Sequence, residues 1–310
     1  MKIENKIKIA ALMAVLSLGS VSEVQAQQDP QFTQYMYNPS NINPAYTGSR
    51  GNLSVFGQYR AQWVGLDGAP KTANISVETP IEGSRVGLGI NFMNDRIGAI
   101  DENRIALNFS YTIDVNDDWK LAFGLKGTVN LLSFDPTKLD WYDPDVNYNQ
   151  KVNNKFTPNI GAGMFLYSEK GYLGFSVPMM LSTDSGEDDG AKLMKQKMHY
   201  YLTGGYVFEL SPSVKFKPAF LAKAVDGAPF QLDLTANFLL VDKFTVGAAY
   251  RVDAGVSGLA GFQVNDNLFI GYSYDADTSK LNKYNDGSHE VFLRFDLFNR
   301  YRKVSTTRFF

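Results

Sequence analysis

The sequence predicts an all-β fold, a transmembrane outer-membrane β-barrel of about 14 antiparallel strands. Three observations predict it. Apolar and polar residues alternate with a period of two along nearly the whole chain after residue 26. Many of the alternating runs reach the ~9–11 residues that a tilted membrane strand needs. The connections between runs divide into tight turns on one side and longer segments on the other, as in bacterial outer-membrane barrels.

The alternation is clear where it is regular. From 230 to 240, Phe230, Leu232, Leu234, Ala236 and Phe238 share one face, and Gln231, Asp233, Thr235 and Asn237 share the other. From 104 to 113, Ile105, Leu107, Phe109, Tyr111 and Ile113 alternate with Ala106, Asn108, Ser110 and Thr112. From 120 to 131, Leu121, Phe123, Leu125, Val129 and Leu131 alternate with Ala122, Gly124, Lys126, Thr128 and Asn130. Successive strand side chains point to opposite faces, so each run has one apolar and one polar face. No stretch holds the i, i+3, i+4, i+7 spacing of an amphipathic helix.

Turn residues place the strands at 51–64, 70–80, 84–94, 103–114, 118–133, 155–168, 171–180, 198–210, 213–224, 229–241, 243–252, 256–265, 267–275 and 287–298. After the even-numbered strands come Glu82-Gly83, Val115-Asn116-Asp117, Glu169-Lys170, Ser211-Pro212, Asp242 and Asp266, all tight. The odd-numbered strands lead into longer segments, notably 134–154, 181–197 and 276–286. A chain entering from the periplasm puts the tight turns there and the long loops outside. Closure satisfies every backbone hydrogen bond within the bilayer.

The division expected is a signal peptide at 1–26, an N-terminal periplasmic or lumenal segment at 27–50, the barrel at 51–298 and a C-terminal tail at 299–310. Lys2, Lys6 and Lys8 form a basic n-region, Ile9 to Gly19 an apolar core too short to span a bilayer, and Val24-Gln25-Ala26 a cleavage site. Cleavage would start the mature chain at Gln27.

Composition narrows the function. With 30 basic and 32 acidic residues the net charge is −2, so no global field draws in nucleic acid. The chain has no cysteine, which excludes disulfides, thiolate metal sites and a lipidated N-terminal cysteine. Aromatics at 14% suit interfacial girdles. No catalytic, cofactor-binding or metal-binding residue is assigned. The two histidines, His199 and His289, would need converging partners to serve a surface hydrolase, the less favoured alternative, and the neighbours in Ser288-His289-Glu290 point to opposite faces of one strand. Asp275, Asp277 and Ser279 begin like a calcium loop, but Lys280 replaces its central glycine. Asp184, Glu187, Asp188 and Asp189 read as a solvated acidic loop tip. Gly87-Leu88-Gly89 lies within an alternating strand, so it relieves crowding rather than cradling phosphate. Lys215, Lys217, Lys223 and Arg251 would face the lumen opposite Asp233 and Glu78, either pairing across it or lining a selective pore.

The segment before the first strand carries a resemblance. Gln31-Phe32-Thr33-Gln34-Tyr35-Met36-Tyr37-Asn38-Pro39 followed by Ile42-Asn43-Pro44-Ala45-Tyr46-Thr47-Gly48 resembles the opening signature of the PorP/SprF family of the Bacteroidetes type IX secretion system. Tyr59-Arg60-Ala61-Gln62-Trp63, Gly68-Ala69-Pro70-Lys71-Thr72, Gly87-Leu88-Gly89, Asn94-Asp95, Gly271-Tyr272-Ser273-Tyr274-Asp275, Gly287-Ser288-His289-Glu290 and the terminal Arg308-Phe309-Phe310 extend it over nearly the whole mature chain. The resemblance implies a non-enzymatic barrel without cofactor. Its partners would be a secreted cell-surface adhesin of the gliding type, secretion components and the lipid bilayer.

The opening segment is polar, aromatic and broken by prolines, so it forms no regular helix. It would plug the lumen, lie against the rim or remain a flexible leader. As a plug its contacts would be Gln34, Tyr35, Asn38, Asn43 and Tyr46. Partner binding outside would fall on the long loops, with Trp141, Tyr142 and Tyr148 as aromatic anchors.

Overall fold

The computed structural model describes residues 30–138, 151–182, 184–185, 194–195 and 197–297. It is a closed antiparallel barrel of 14 strands. In chain order they are β1 (Leu53–Ala61), β2 (Lys71–Pro80), β3 (Val86–Ile97), β4 (Ile100–Asp114), β5 (Lys120–Phe134), β6 (Val152–Tyr167) and β7 (Gly171–Val177). β8 runs in two pieces, His199–Tyr206 and Phe208–Ser211, both paired with β9 (Val214–Val225). β10 (Gln231–Leu240), β11 (Phe244–Arg251), β12 (Gly255–Gln263), β13 (Leu268–Asp277) and β14 (Ser288–Leu297) complete the wall. β1 closes on β14 from Leu53↔Leu297 to Ala61↔His289, so neither terminal strand has a bare edge.

The wall is inside-out relative to a soluble protein. Leu107, Leu125 and Phe156 point outward and are 62%, 63% and 61% exposed. On β2 the inward residues Thr72, Asn74, Ser76 and Glu78 are all buried. Exposed leucines beside buried amides and hydroxyls require a hydrocarbon exterior.

One expectation about the connections needs correction. The sequence placed 95–102 between two strands, whereas β3 and β4 run on and meet at Gly98-Ala99, with Ile97 paired to Ile100. Asp101 falls between the expected strands 84–94 and 103–114, yet it is bonded across them, with Asn94 donating to Asp101 at 2.7 Å and to Asn103 at 3.0 Å. Polar cross-strand pairs extend a hairpin beyond the bilayer, where water tolerates them. The asymmetry between the two ends of the barrel therefore rests on the segments 62–70, 135–151, 178–198 and 278–287.

Lumen-facing residues carry an aromatic core as well as polar groups. Phe56 on β1, Phe165 and Tyr167 on β6, Tyr172 on β7, Phe269 on β13 and Phe292 on β14 pack around Tyr35, Met36, Tyr37, Ala45 and Tyr46. The core of this protein is thus the junction between the wall and the segment that precedes it.

Candidate functional site

Residues 30–52 thread the lumen from one end to the other. Pro30 and Gln31 lie beside Gln62, Trp63 and Pro70 at the long-loop end. Thr47 to Asn52 lie beside the turns at 81–85 and 168–169 at the tight-turn end, where β1 begins. Local chemistry sets the path. Pro39 and Pro44 each open a single 3-10 turn, where a missing N–H costs nothing. The Asn43 side chain caps the second of these by accepting the Ala45 N–H at 3.0 Å. Gly48 adopts a left-handed φ of 76° and reverses the chain toward β1.

The upper half of this plug is held by charge. The Glu290 carboxylate accepts the Thr33 and Gln34 N–H groups at 3.0 and 2.9 Å, and the Gln58 amide at 2.8 Å. Arg60 bridges Glu290 at 2.9 Å and Asp275 at 2.6 Å. The Thr33 hydroxyl donates to Asp275 at 2.7 Å. Below this network Tyr37 stacks on Phe269 and Phe292, with ring centroids at 5.4 and 4.6 Å. The Lys217 ammonium and Arg294 guanidinium stand 5.7 and 5.9 Å from the same ring.

The lower half is held by shape and by backbone carbonyls. Lys126 donates to the Asn41 carbonyl at 2.6 Å, Ser176 to that of Ile42 at 2.9 Å and Ser110 to that of Thr47 at 2.6 Å. Asn43 donates to the Met164 carbonyl at 2.9 Å. Three wall glycines admit the plug, Gly124 and Gly87 its backbone and Gly163 the Asn43 side chain. A Cβ at Gly124 would overlap Pro44 and Ala45, one at Gly163 would overlap Asn43, and one at Gly87 would overlap the Thr47 carbonyl. The crowding relieved at Gly87 is therefore with the plug. Tyr46 packs edge-on to Phe165 with centroids 5.4 Å apart. Arg50 closes the tight-turn end through Asp296 at 2.7 Å.

The expected contact residues are all buried here. Gln34 reaches Ser273 at 3.3 Å, Asn38 accepts from Ser40 and Ser76, Asn43 and Tyr46 sit as described, and Tyr35 belongs to the aromatic core. Trp141, Tyr142 and Tyr148 lie outside the described residues, as does most of the 184–189 acidic stretch. Asp275 is committed to Arg60 and Thr33, and Asp277 accepts the Ser279 N–H at 2.7 Å. Among the described residues no group of three metal-ligating side chains converges. Lumenal cations find partners in the wall: Arg251 makes a two-point pair with Asp233 at 2.7 and 2.8 Å, and Lys215 meets Asp242 at 2.8 Å. The histidines face opposite sides of the wall. His199 is buried, with Nδ1 2.9 Å from the Lys197 carbonyl, and His289 meets the outward Tyr272 hydroxyl at 2.7 Å.

Sequence reasoning missed the aromatic belt. Its signal was an aromatic residue in the polar register: Phe292 between Glu290 and Arg294, Phe56 between Ser54 and Gln58, and Phe269 two residues before Gly271. Two recesses flank the plug. One of about 480 Å³ at the long-loop end is bounded by Pro30, Gln31, Arg60, Trp63 and Asp275. The other, about 840 Å³ at the tight-turn end, is floored by Thr47 to Leu53.

Solved structures with a similar shape are barrels. The chain is similar to the CymD monoaromatic hydrocarbon channel, with 12% identity and a TM-score of 0.49 over 86% of this chain and 94% of that one. It is similar to the P. putida toluene transporter TodX, with 8% identity and a TM-score of 0.45 over 85% and 95%. For a KdgM porin the figures are 8% and 0.37 over 79% and 99%. The fold assignment itself rests on the closed ladder. No curated protein matches the sequence. Residues 24–295 match the model of the type IX secretion system membrane protein PorP/SprF. That match takes in the plug signature and nearly every strand, and the chain, an outer-membrane barrel, belongs to the PorP/SprF family.

Proposed function

We propose that this barrel is a non-enzymatic partner of the type IX secretion system that supports export or surface anchoring of a secreted, gliding-type adhesin. The observation that supports this reading over a diffusion pore is the occupied lumen. Lumen-facing side chains such as Asn74, Lys217, Asn237 and Glu290 are almost completely enclosed. A barrel filled by its own chain leaves its two mouths and its loops as working surfaces. Residues 1–26 direct export, and the tight turns face the periplasm. The long segments at 134–154, 181–197 and 276–286 face outward, and Trp141, Tyr142 and Tyr148 supply aromatic contact area to the adhesin. Secretion components meet the opposite mouth.

Deletion of the gene should strip one adhesin from the cell surface while other type IX cargo is still secreted. A mild-detergent pull-down from outer membranes should recover that large surface protein. Unchanged surface adhesin would overturn the reading. The pore alternative predicts steady conductance in planar bilayers, where the sealed lumen predicts a closed trace.

A further inference from the structure

We infer that the plug is two devices in series, a fixed lower seal from Asn41 to Thr47 and a releasable upper strap from Pro30 to Gln34. The inference is independent of the adhesin reading and is tested on the purified chain.

The two halves are held in different ways. The lower segment presents backbone and the Asn43 side chain to glycine-lined wall, and its carbonyls accept bonds from Lys126, Ser176 and Ser110 on three different strands. Moving it means breaking these bonds together and leaving polar groups unpaired in a filled lumen. The Thr33 and Gln34 backbone and the Thr33 hydroxyl of the upper segment converge on one charged network. Glu290 takes both strap N–H groups, and its charge is balanced by Arg60, which is shared with Asp275. A single network fails as a unit when one charge is satisfied elsewhere. Arg60 and Asp275 also border the 480 Å³ recess that opens at the long-loop end, together with Pro30 and Gln31 themselves. A charged group of a partner entering that recess meets the network directly. Release of the strap then presents Pro30 to Gln34 at the mouth while the lower seal and the Tyr37 stack keep the lumen shut.

The sequence has no cysteine, so single-cysteine probes are unambiguous. Thr33 and Thr47 are similarly enclosed, 3% and 2% exposed, and differ in that only the Thr33 hydroxyl bonds the network, whose Glu290 contacts to the Thr33 and Gln34 N–H groups a cysteine leaves in place. Thr33→Cys and Thr47→Cys proteins, folded in detergent or in liposomes, are treated with a maleimide. Cysteine at 33 should label at least about tenfold faster than at 47, a ratio that corresponds to about 1.4 kcal/mol of opening free energy. Adding Glu290→Gln should raise labelling at 33 about a further tenfold, leave 47 unchanged and leave bilayers non-conducting. Equal rates at 33 and 47 in the unaltered background would overturn the inference. So would a parallel rise at both positions, no rise at 33, or conductance in the Glu290→Gln protein, since each means that the plug moves as one body or not at all. If Glu290→Gln fails to fold, Asp275→Asn removes one charge from the same network and must give the same split, and the unaltered-background comparison decides without either.

Discussion

The upper and lower halves of the lumenal segment share one chain and one enclosure, yet they are retained by opposite means. Below, neutral backbone and the Asn43 side chain fit into space lined by glycines: Gly124, Gly163 and Gly87 are small because the plug is there. Above, two peptide N–H groups and a threonine hydroxyl are tied to an Arg60–Glu290–Asp275 network. Shape retention depends on many contacts and weakens gradually as each is lost. Charge retention depends on one residue and changes abruptly. A buried network is little screened by salt, so only a competing charge or a substitution addresses it.

Three substitutions test that contrast, and a pH dependence outside the plug gives a fourth measurement. Tyr46→Ala should have the largest effect, since it empties the ring site against Phe165. Truncation of a buried aromatic costs about 3–5 kcal/mol. The expected readout is a lowered midpoint for heat-modifiable migration together with the appearance of conductance in planar bilayers. Closed traces after this substitution would move the seal elsewhere. Glu290→Gln should lower the same midpoint by less, in keeping with about 1–3 kcal/mol for leaving a buried donor unsatisfied. Should it match or exceed Tyr46→Ala, charge would be the main support of the plug and the contrast would invert.

Gln31→Ala removes the amide contact with Gln231 at the long-loop mouth. Its effect on the midpoint should be within about 0.5 kcal/mol, as for a surface change, with labelling at Thr33→Cys raised a few-fold. The smallest effect lies outside the barrel. Hydrogen bonds from Lys151 and Thr137 hold the Asp135 carboxyl down to about 2. The folded pKa is depressed, so this tie is present above the ordinary carboxylate pKa of about 3.9 and is lost as pH falls through about 2. Amide exchange at the β5 end of the loop should rise between pH 4 and pH 2, and Lys151→Ala should narrow that window. Unchanged exchange over the same range would show that the ion pair does not hold the loop.

Much of the wall was legible. All fourteen runs became strands because lipid outside and polar groups inside impose a period of two, as Phe230 to Phe238 shows. The hairpin at Gly98 was obscured because, past the bilayer, both faces meet water and alternation no longer marks a strand. The residues chosen in the opening segment were recognisable as hydrogen-bonding and aromatic, but which wall groups receive them was not.

Local order along the chain was enough to settle the kind of fold, the lipid-facing stripe, the turns and the proline-broken character of residues 30–52. Those properties depend on neighbours within a few residues. The glycine seat joins the plug to β3, β5 and β6, and the Glu290–Arg60–Asp275 network joins positions more than 200 residues apart, as Thr33 and Glu290 do. Only closure of β1 on β14 brings them together, because an inward face becomes a site only when the opposite wall is in place.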